Sequence, residues 1–184
     1  MRDDADRYRR YLAGDDNGLA EIIDAYHEGL SLYLHSFVKD ICLAEEIMQE
    51  TFVKLAVKKP KFLGKCSFKT WLYTIARNCA LDHLRRQKYI YQIPLDECWT
   101  VSDETDIEQQ YLKEEQKIEL HRALQKIKPE YASVLYLMYF EDFDTEAIAG
   151  ILHRSKRQVS DLLYRAKKAL KSELEQEGFQ YEKL

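Results

Sequence analysis

The sequence predicts an all-α protein made of two small helical domains. Three observations predict this class: long amphipathic periods, few helix-breaking residues, and one interruption of the periodic pattern in mid-chain. The 184 residues include only six glycines and three prolines, while 46% are hydrophobic and 33% are charged. Such a chain is typical of a soluble, helix-rich protein with one or two cores.

The first domain is predicted over residues 1–92. A short helix ends at a glycine-containing turn, and Asp16 or Asn17 can then cap a second helix. Apolar residues recur at helical spacing along this second helix as far as Val38. The pattern therefore predicts core helices at the start of the domain.

Two further amphipathic helices follow, joined by a lysine-rich loop. Pro60 cannot continue a helix and Gly64 permits a tight bend, so the loop lies between them. The first helix turns an acidic face to solvent, formed by Glu45, Glu46, Gln49 and Glu50. The second is predicted to bury a stripe formed by Phe68, Trp71, Leu72, Ile75 and Cys79. The opposite face of this helix, which is basic and partly aromatic, is then predicted to face solvent.

The second domain is predicted over residues 116–184, after a flexible acidic linker over 93–115 that lacks a helical period. Two helices are followed by a short helix, a turn at His153 and a basic helix capped by Ser155. Histidine tolerates the left-handed backbone conformation that such a turn requires better than most residues. This spacing is typical of a helix-turn-helix.

The net charge of −4 hides a strong segregation. Residues 1–50 carry 5 basic and 12 acidic side chains, whereas residues 51–92 carry 10 basic and 1 acidic. A second basic segment begins at Arg154, beyond another acidic stretch. Because salt confines the field of each patch to about 10 Å, the chain is predicted to have two separate anion-binding faces.

The motifs of the first domain are A-E-E-I-x-Q-E-T-F, F-L-G-x-x-S-F-x-T-W-L and I-A-R-N-x-A-L-D-H-L-R-R. They resemble conserved region 2 of bacterial sigma factors of the extracytoplasmic-function group. In the second domain, I-K-P-E-Y, D-x-x-x-I-A-x-I-L and S-x-x-x-V-x-x-L-L-Y-R-A-K-x-A-L resemble region 4 of the same factors. Gln158 departs from the family, in which Thr often precedes the valine.

The resemblance implies a function in transcription initiation. Such a factor binds core RNA polymerase and promoter DNA, reading the minus-thirty-five element as duplex and the minus-ten element as melted strand. Many relatives are held silent by an anti-sigma factor, which is therefore expected as a further partner. No apolar run approaches membrane-spanning length and the N-terminus lacks the apolar core of a signal peptide, so a cytoplasmic location without membrane insertion is expected.

The strand-capture surface is predicted in the lysine-rich loop and on the exposed face of the helix after it. Cations would contact phosphates, aromatic rings would stack on bases, and an amide or hydroxyl would read a base edge. Its residues are Lys61, Phe62, Lys65, Ser67, Lys69, Tyr73, Arg77, Asn78, Arg85 and Arg86. In the alternative, Phe62 closes the core and the charges form an ordinary solvated face.

The helix-turn-helix surface is predicted around the start of the last helix, which enters the major groove. Its residues are Arg154, Ser155, Lys156, Arg157, Gln158, Ser160, Asp161, Arg165 and Lys168. Arginine can bridge a guanine edge and glutamine an adenine edge, while Arg154, Arg165 and Lys168 would contact the DNA backbone.

The acidic face of Glu45, Glu46, Gln49 and Glu50 is the polymerase-docking face implied by the resemblance. The alternative is that it is an ordinary solvated helix surface.

No catalytic residues, metal site or cofactor are predicted. The chain has no glycine-rich phosphate loop, no G-x-S-x-G, no clustered His and carboxylate, and no CxxC among its four cysteines. Two rival functions stay open. One is a stand-alone repressor or activator, which would bind duplex DNA tightly without polymerase; the other is an enzyme acting on nucleic acid, which would show metal-dependent turnover.

Overall fold

The computed structural model describes residues 4–90 and 113–176, and this part of the chain folds into eight helices without strands. The helices are α1 (Asp4–Leu12), α2 (Asn17–Val38), α3 (Ile41–Lys58), α4 (Phe68–Ile90), α5 (Lys113–Lys126), α6 (Pro129–Tyr139), α7 (Thr145–Leu152) and α8 (Lys156–Gln176). The all-α prediction is confirmed. Most of the predicted linker, 93–112, lies outside the described residues, and the domain boundaries stay predictions.

The first four helices form a bundle around an apolar core. Ile22, Leu30, Ile47 and Leu72 are completely buried in it. Helix α1 is attached to the end of α3, because the Tyr11 hydroxyl donates to the Ala56 carbonyl at 2.9 Å. These contacts place the lysine-rich loop at one end of the bundle.

The ends of the helices follow their local sequence, with one exception. Gly64 has φ 70°, as the predicted bend requires. Asp40 caps α3 by accepting a hydrogen bond from the Leu43 amide at 3.0 Å. Asp16 occupies the N-cap of α2 but makes no side-chain capping bond; instead Asp15 accepts from the Asn17 amide at 3.1 Å.

The second set of helices packs directly on the first, so that one contiguous core runs through both. Helix α6 lies on α2, and α7 lies on α4. Gly29 of α2 makes this approach possible, because a Cβ there would lie 2.6 Å from the Glu141 carboxylate and 2.9 Å from the Tyr73 hydroxyl. The two halves are therefore in direct contact in the structure.

Candidate nucleic-acid interface

The helix-turn-helix is built by local capping on both sides of its turn. Asp144 caps α7 by accepting a hydrogen bond from the Ala147 amide at 2.7 Å. His153 ends α7 with φ 52°, the left-handed conformation predicted for it. Ser155 and Gln158 then form a reciprocal capping box, in which the Ser155 hydroxyl accepts from the Gln158 amide at 3.2 Å and the Gln158 side-chain oxygen accepts from the Ser155 amide at 2.8 Å. The start of α8 is thereby defined by its own sequence.

The helix-turn-helix surface is almost entirely open to solvent. Its exposed members are Ser155, Lys156, Arg157, Gln158, Ser160, Asp161, Arg165 and Lys168, while Arg154 is half-buried. The opposite face of α8, formed by Val159, Leu162, Leu163 and Ala166, is buried as predicted. The periodicity of α8 therefore oriented this surface correctly.

Some members of the helix-turn-helix surface already have partners within the protein. Lys156 lies 2.8 Å from a carboxylate oxygen of Glu146, and Arg154 forms an ion pair with Glu130. Because Gln158 uses its amide oxygen in the cap, its amide nitrogen is the group left for a base edge. The cap thus limits what Gln158 can read.

The strand-capture surface is only partly open. Its exposed members are Lys61, Lys65, Ser67, Asn78, Arg85 and Arg86. Ser67 also caps α4, since its hydroxyl accepts from the Thr70 amide at 3.1 Å. Arg85 makes an exposed ion pair with Asp82 at 3.3 Å. The lysines of the loop and the arginines late in α4 remain available to phosphates.

The prediction that Tyr73 is exposed is wrong. Tyr73 is completely buried, and its ring centroid lies 5.1 Å from that of Phe143 in an edge-on contact and 5.4 Å from that of Tyr33. Burial raises the pKa of its hydroxyl, and the neighbouring Glu141 carboxylate raises it further. The reason is that the segment between α6 and α7, which carries Glu141 and Phe143, covers α4 on a second side. The periodicity of α4 alone could not indicate this.

Lys69 and Arg77 flank Tyr73 and are half-buried rather than exposed. The Lys69 ammonium lies 2.9 Å from a Glu141 carboxylate oxygen, donates to the Glu141 carbonyl at 2.8 Å, and lies 4.9 Å from the Phe143 ring centroid. Burial lowers the pKa of Arg77, and the positive charge of Arg154 adds to this effect. Both cations therefore belong to the contact between the halves in this arrangement.

Phe62 is half-buried and packs against the core. Its ring centroid lies 5.2 Å from that of Trp71 and 5.6 Å from that of Phe68. This is the position expected if Phe62 closes the core. The exposed apolar side chain of the loop is its neighbour Leu63, which is 63% exposed and which the sequence analysis did not single out.

The polymerase-docking face of α3 has the predicted orientation. Glu45, Glu46 and Gln49 are exposed and Glu50 is half-buried, whereas Ala44, Ile47 and Leu55 lie in the core. Two exposed valines continue the same face, Val53 at 57% and Val57 at 76% exposure. Neither valine was predicted as part of this face, although the spacing of both from Glu46 and Glu50 places them on one side of the helix.

Two other kinds of site are not found among the described residues. Within 4–90 and 113–176, no three His, Cys, Asp or Glu side chains are grouped so that they could hold a metal ion. None of the helices in the same ranges combines the length and the apolar character needed to cross a lipid bilayer.

Each half of the chain matches a known protein family model. The family model of sigma-70 region 2 matches residues 22–89, and that of sigma-70 region 4 matches residues 117–170. The chain is 30% identical over 161 residues to the ECF RNA polymerase sigma factor SigX of Bacillus subtilis, covering 84% of this chain and 82% of the relative. It is 33% identical over 161 residues to the RNA polymerase sigma factor YlaC of the same organism, covering 86% and 92%.

A solved structure shares the fold. The sigma factor RpoE of Bartonella quintana, determined in complex with the anti-sigma factor NepR, superposes with a TM-score of 0.65. The match covers 85% of this chain and 96% of that one at 19% identity.

Proposed function

Because the chain belongs to the extracytoplasmic-function group of sigma-70 family sigma factors, which act in transcription initiation, we propose that it directs core RNA polymerase to specific promoters. It reads the minus-thirty-five element as duplex and the minus-ten element as separated strand. The observation that carries the proposal is the pairing, on one chain and in this order, of a region 2 bundle with a basic loop and a region 4 helix-turn-helix with an exposed basic helix.

Duplex reading is assigned to the helix-turn-helix surface. Arg157 lies in the first turn of α8 and is exposed, so its guanidinium can reach the guanine edge in a major groove. Arg165 and Lys168 lie further along the exposed side of α8 and contact the phosphate backbone. Gln158 contributes through the amide nitrogen that its cap leaves free.

Strand capture is assigned to the open part of its predicted surface. Lys61, Lys65, Arg85 and Arg86 supply phosphate contacts and Asn78 supplies an amide for a base edge. Phe62 offers a stacking face only if its contact with Trp71 is exchanged for one with a base. Lys69 joins this surface when the two halves separate, because Glu141 now pairs with its ammonium. Arg77 joins it because residues of the second half now cover it.

Polymerase docking is assigned to the acidic face of α3 together with its two valines. A face with exposed Val53 and Val57 beside Glu46 and Glu50 differs from an ordinary solvated helix surface, which has no reason to expose two valines one turn apart. The valines supply apolar burial and the carboxylates attract a basic partner surface. An anti-sigma factor is a further proposed partner, in keeping with the complex known for the Bartonella relative.

Run-off transcription with purified core polymerase on a library of genomic fragments tests the proposal. The chain should associate with core polymerase and start RNA from a defined set of promoters. Tight sequence-specific duplex binding by the chain alone, with no effect on core polymerase, would instead identify a stand-alone repressor or activator. Failure to bind core polymerase would contradict the proposal directly.

Three variants separate the duplex contact from the strand contact on a promoter found in this way. Arg157→Ala should relax sequence choice at the upstream element by about 1 to 3 kcal/mol per base pair contacted, whereas Lys168→Ala should weaken binding to all sequences equally. Phe62→Ala should spare duplex binding and reduce strand opening, measured by permanganate footprinting. A transcription bubble unchanged by Phe62→Ala would remove this residue from the strand-capture surface.

A further inference from the structure

A cavity of about 380 Å³ lies between the two halves of the protein. Arg77 and Leu81 of α4 line one side, and Lys128, Ser133 and Arg154 line the other. Its walls therefore come from both sigma regions. A volume of this size is within the range of small-molecule sites.

The lining of this cavity carries an excess of positive charge. Three cationic side chains, Arg77, Lys128 and Arg154, face a single carboxylate, that of Glu130. Glu130 is already paired with Arg154. The cavity wall thus has two more cations than its own carboxylate can neutralise.

Two polar atoms in the lining are buried without a hydrogen bond within the described part of the chain. They are Nε of Arg77 and the hydroxyl oxygen of Ser133, which is 2% exposed as a residue. The hydroxyl of Tyr33 is near Ser133, but neither makes a hydrogen bond of ordinary geometry. Both atoms have almost no exposed surface, so they lie beneath the cavity wall beside Tyr33 and do not face into the cavity. Burial together with the charge of Arg154 lowers the pKa of Arg77.

We propose that this cavity binds a phosphate group, with Arg77 and Lys128 as its charged partners. The negative charge of phosphate balances the excess of cations in the cavity wall. Phe37, Leu81 and Leu152 give the cavity an apolar wall that suits the organic part of a phosphate monoester. The ligand is therefore either inorganic phosphate or a small phosphorylated metabolite.

This site adds a ligand to the proposed function and does not depend on polymerase. Because both halves contribute to the wall, phosphate stabilises the arrangement in which they are packed together. That arrangement holds Arg77 and Arg154 away from DNA. Bound phosphate would therefore oppose promoter binding by the same residues.

Titration of the full-length chain, followed by ³¹P NMR at constant ionic strength, tests the site. Inorganic phosphate and phenyl phosphate are the two probes, and both should show saturable binding. Arg77→Gln should weaken binding by about tenfold or more, because it removes a charged hydrogen-bond donor. Arg122→Gln removes the same charge from an exposed position on α5 and should bind phosphate as the unmodified chain does.

Lys128→Gln provides a second variant, which removes the other charged partner from the cavity wall; it should also weaken phosphate binding. Tighter binding of phenyl phosphate than of phosphate would identify a monoester as the ligand class, and equal binding would identify phosphate itself. Absence of saturation in the unmodified chain would overturn the proposal. Equal affinities in Arg77→Gln and Arg122→Gln would overturn it as well, since binding would then follow net charge alone.

Discussion

The two predicted DNA-binding surfaces differ in how much of each is free in the folded chain. The helix-turn-helix surface is exposed apart from Arg154, whereas the strand-capture surface has lost Tyr73 to the core and has Lys69 and Arg77 in the contact between the halves. In the proposed function, the surface assigned to duplex reading is therefore accessible in this arrangement. The surface assigned to strand capture would be completed only when region 4 moves away from region 2.

The ion pairs of two lysines, one from each surface, show the same difference in exposure. Lys69 lies 2.9 Å from Glu141, and the two side chains are 32% and 10% exposed. Lys156 lies 2.8 Å from Glu146, with 63% and 75% exposed. The distances are nearly equal, so burial of the partner carboxylate decides what each pair contributes.

Tyr73→Ala should have the largest effect on the contact between the halves. Removal of a completely buried ring that touches both Tyr33 and Phe143 should lower the free energy of unfolding by about 3 to 5 kcal/mol. Urea denaturation measures this change. Tyr73→Phe is the matched control, because it keeps the ring and should cost much less. A small loss with Tyr73→Ala would mean that the ring is exposed in solution and belongs to strand capture after all.

Lys69→Met and Lys156→Met test the comparison of the two ion pairs. Lys69→Met leaves the mostly buried Glu141 carboxylate without its cation and should cost about 1 to 3 kcal/mol. Lys156→Met removes an exposed pair and should change stability by less than about 0.5 kcal/mol. Both can be measured by urea denaturation in the same buffer. Equal losses would remove the distinction between the two surfaces.

Asp144→Ala and Asp40→Ala each remove an N-cap hydrogen bond, one in each half of the chain. Each aspartate accepts one backbone hydrogen bond at the start of its helix, so each change should cost about 1 kcal/mol. Only Asp144→Ala should also weaken duplex binding, because α7 supports α8. Stability by denaturation and affinity for a promoter duplex are the two measurements. Equal loss of duplex affinity in both variants would indicate that the α3 cap also supports DNA contact.

Lys39, at the contact between the halves, should have a smaller effect on the free energy of unfolding, and this effect should depend on pH. Its ammonium donates to the Leu124 carbonyl at 2.5 Å, and burial lowers its pKa from 10.5 to about 8. Between these values the unfolded chain holds more protons than the folded one, so the contribution of Lys39 to stability rises with pH from about 8 upward. The difference in free energy of unfolding between the unmodified chain and Lys39→Met should therefore increase from pH 7 to pH 9.5. A difference independent of pH would show that Lys39 is not buried in solution.

The local features of the fold could be predicted from sequence because they depend on residues a few positions apart. The buried face of α8, the cap at Ser155, the left-handed turn at His153 and the bend at Gly64 all follow from such short-range patterns. The N-cap of α2 is Asp16, one of the two residues predicted, although Asp15 and not Asp16 accepts the side-chain bond at this end of the helix. Several neighbouring aspartate and asparagine residues make a single choice there uncertain from sequence.

The sequence by itself determined the two helical regions, their order, the polarity of each helix face and the family to which they belong. Tertiary structure alone decided that α7 and the segment before it cover the middle of α4, which buries Tyr73 and pairs Lys69 with Glu141, 72 positions away. The physical reason is that helical periodicity reports only which face of a helix is apolar. A polar or aromatic face can be buried equally well once another element supplies its partners.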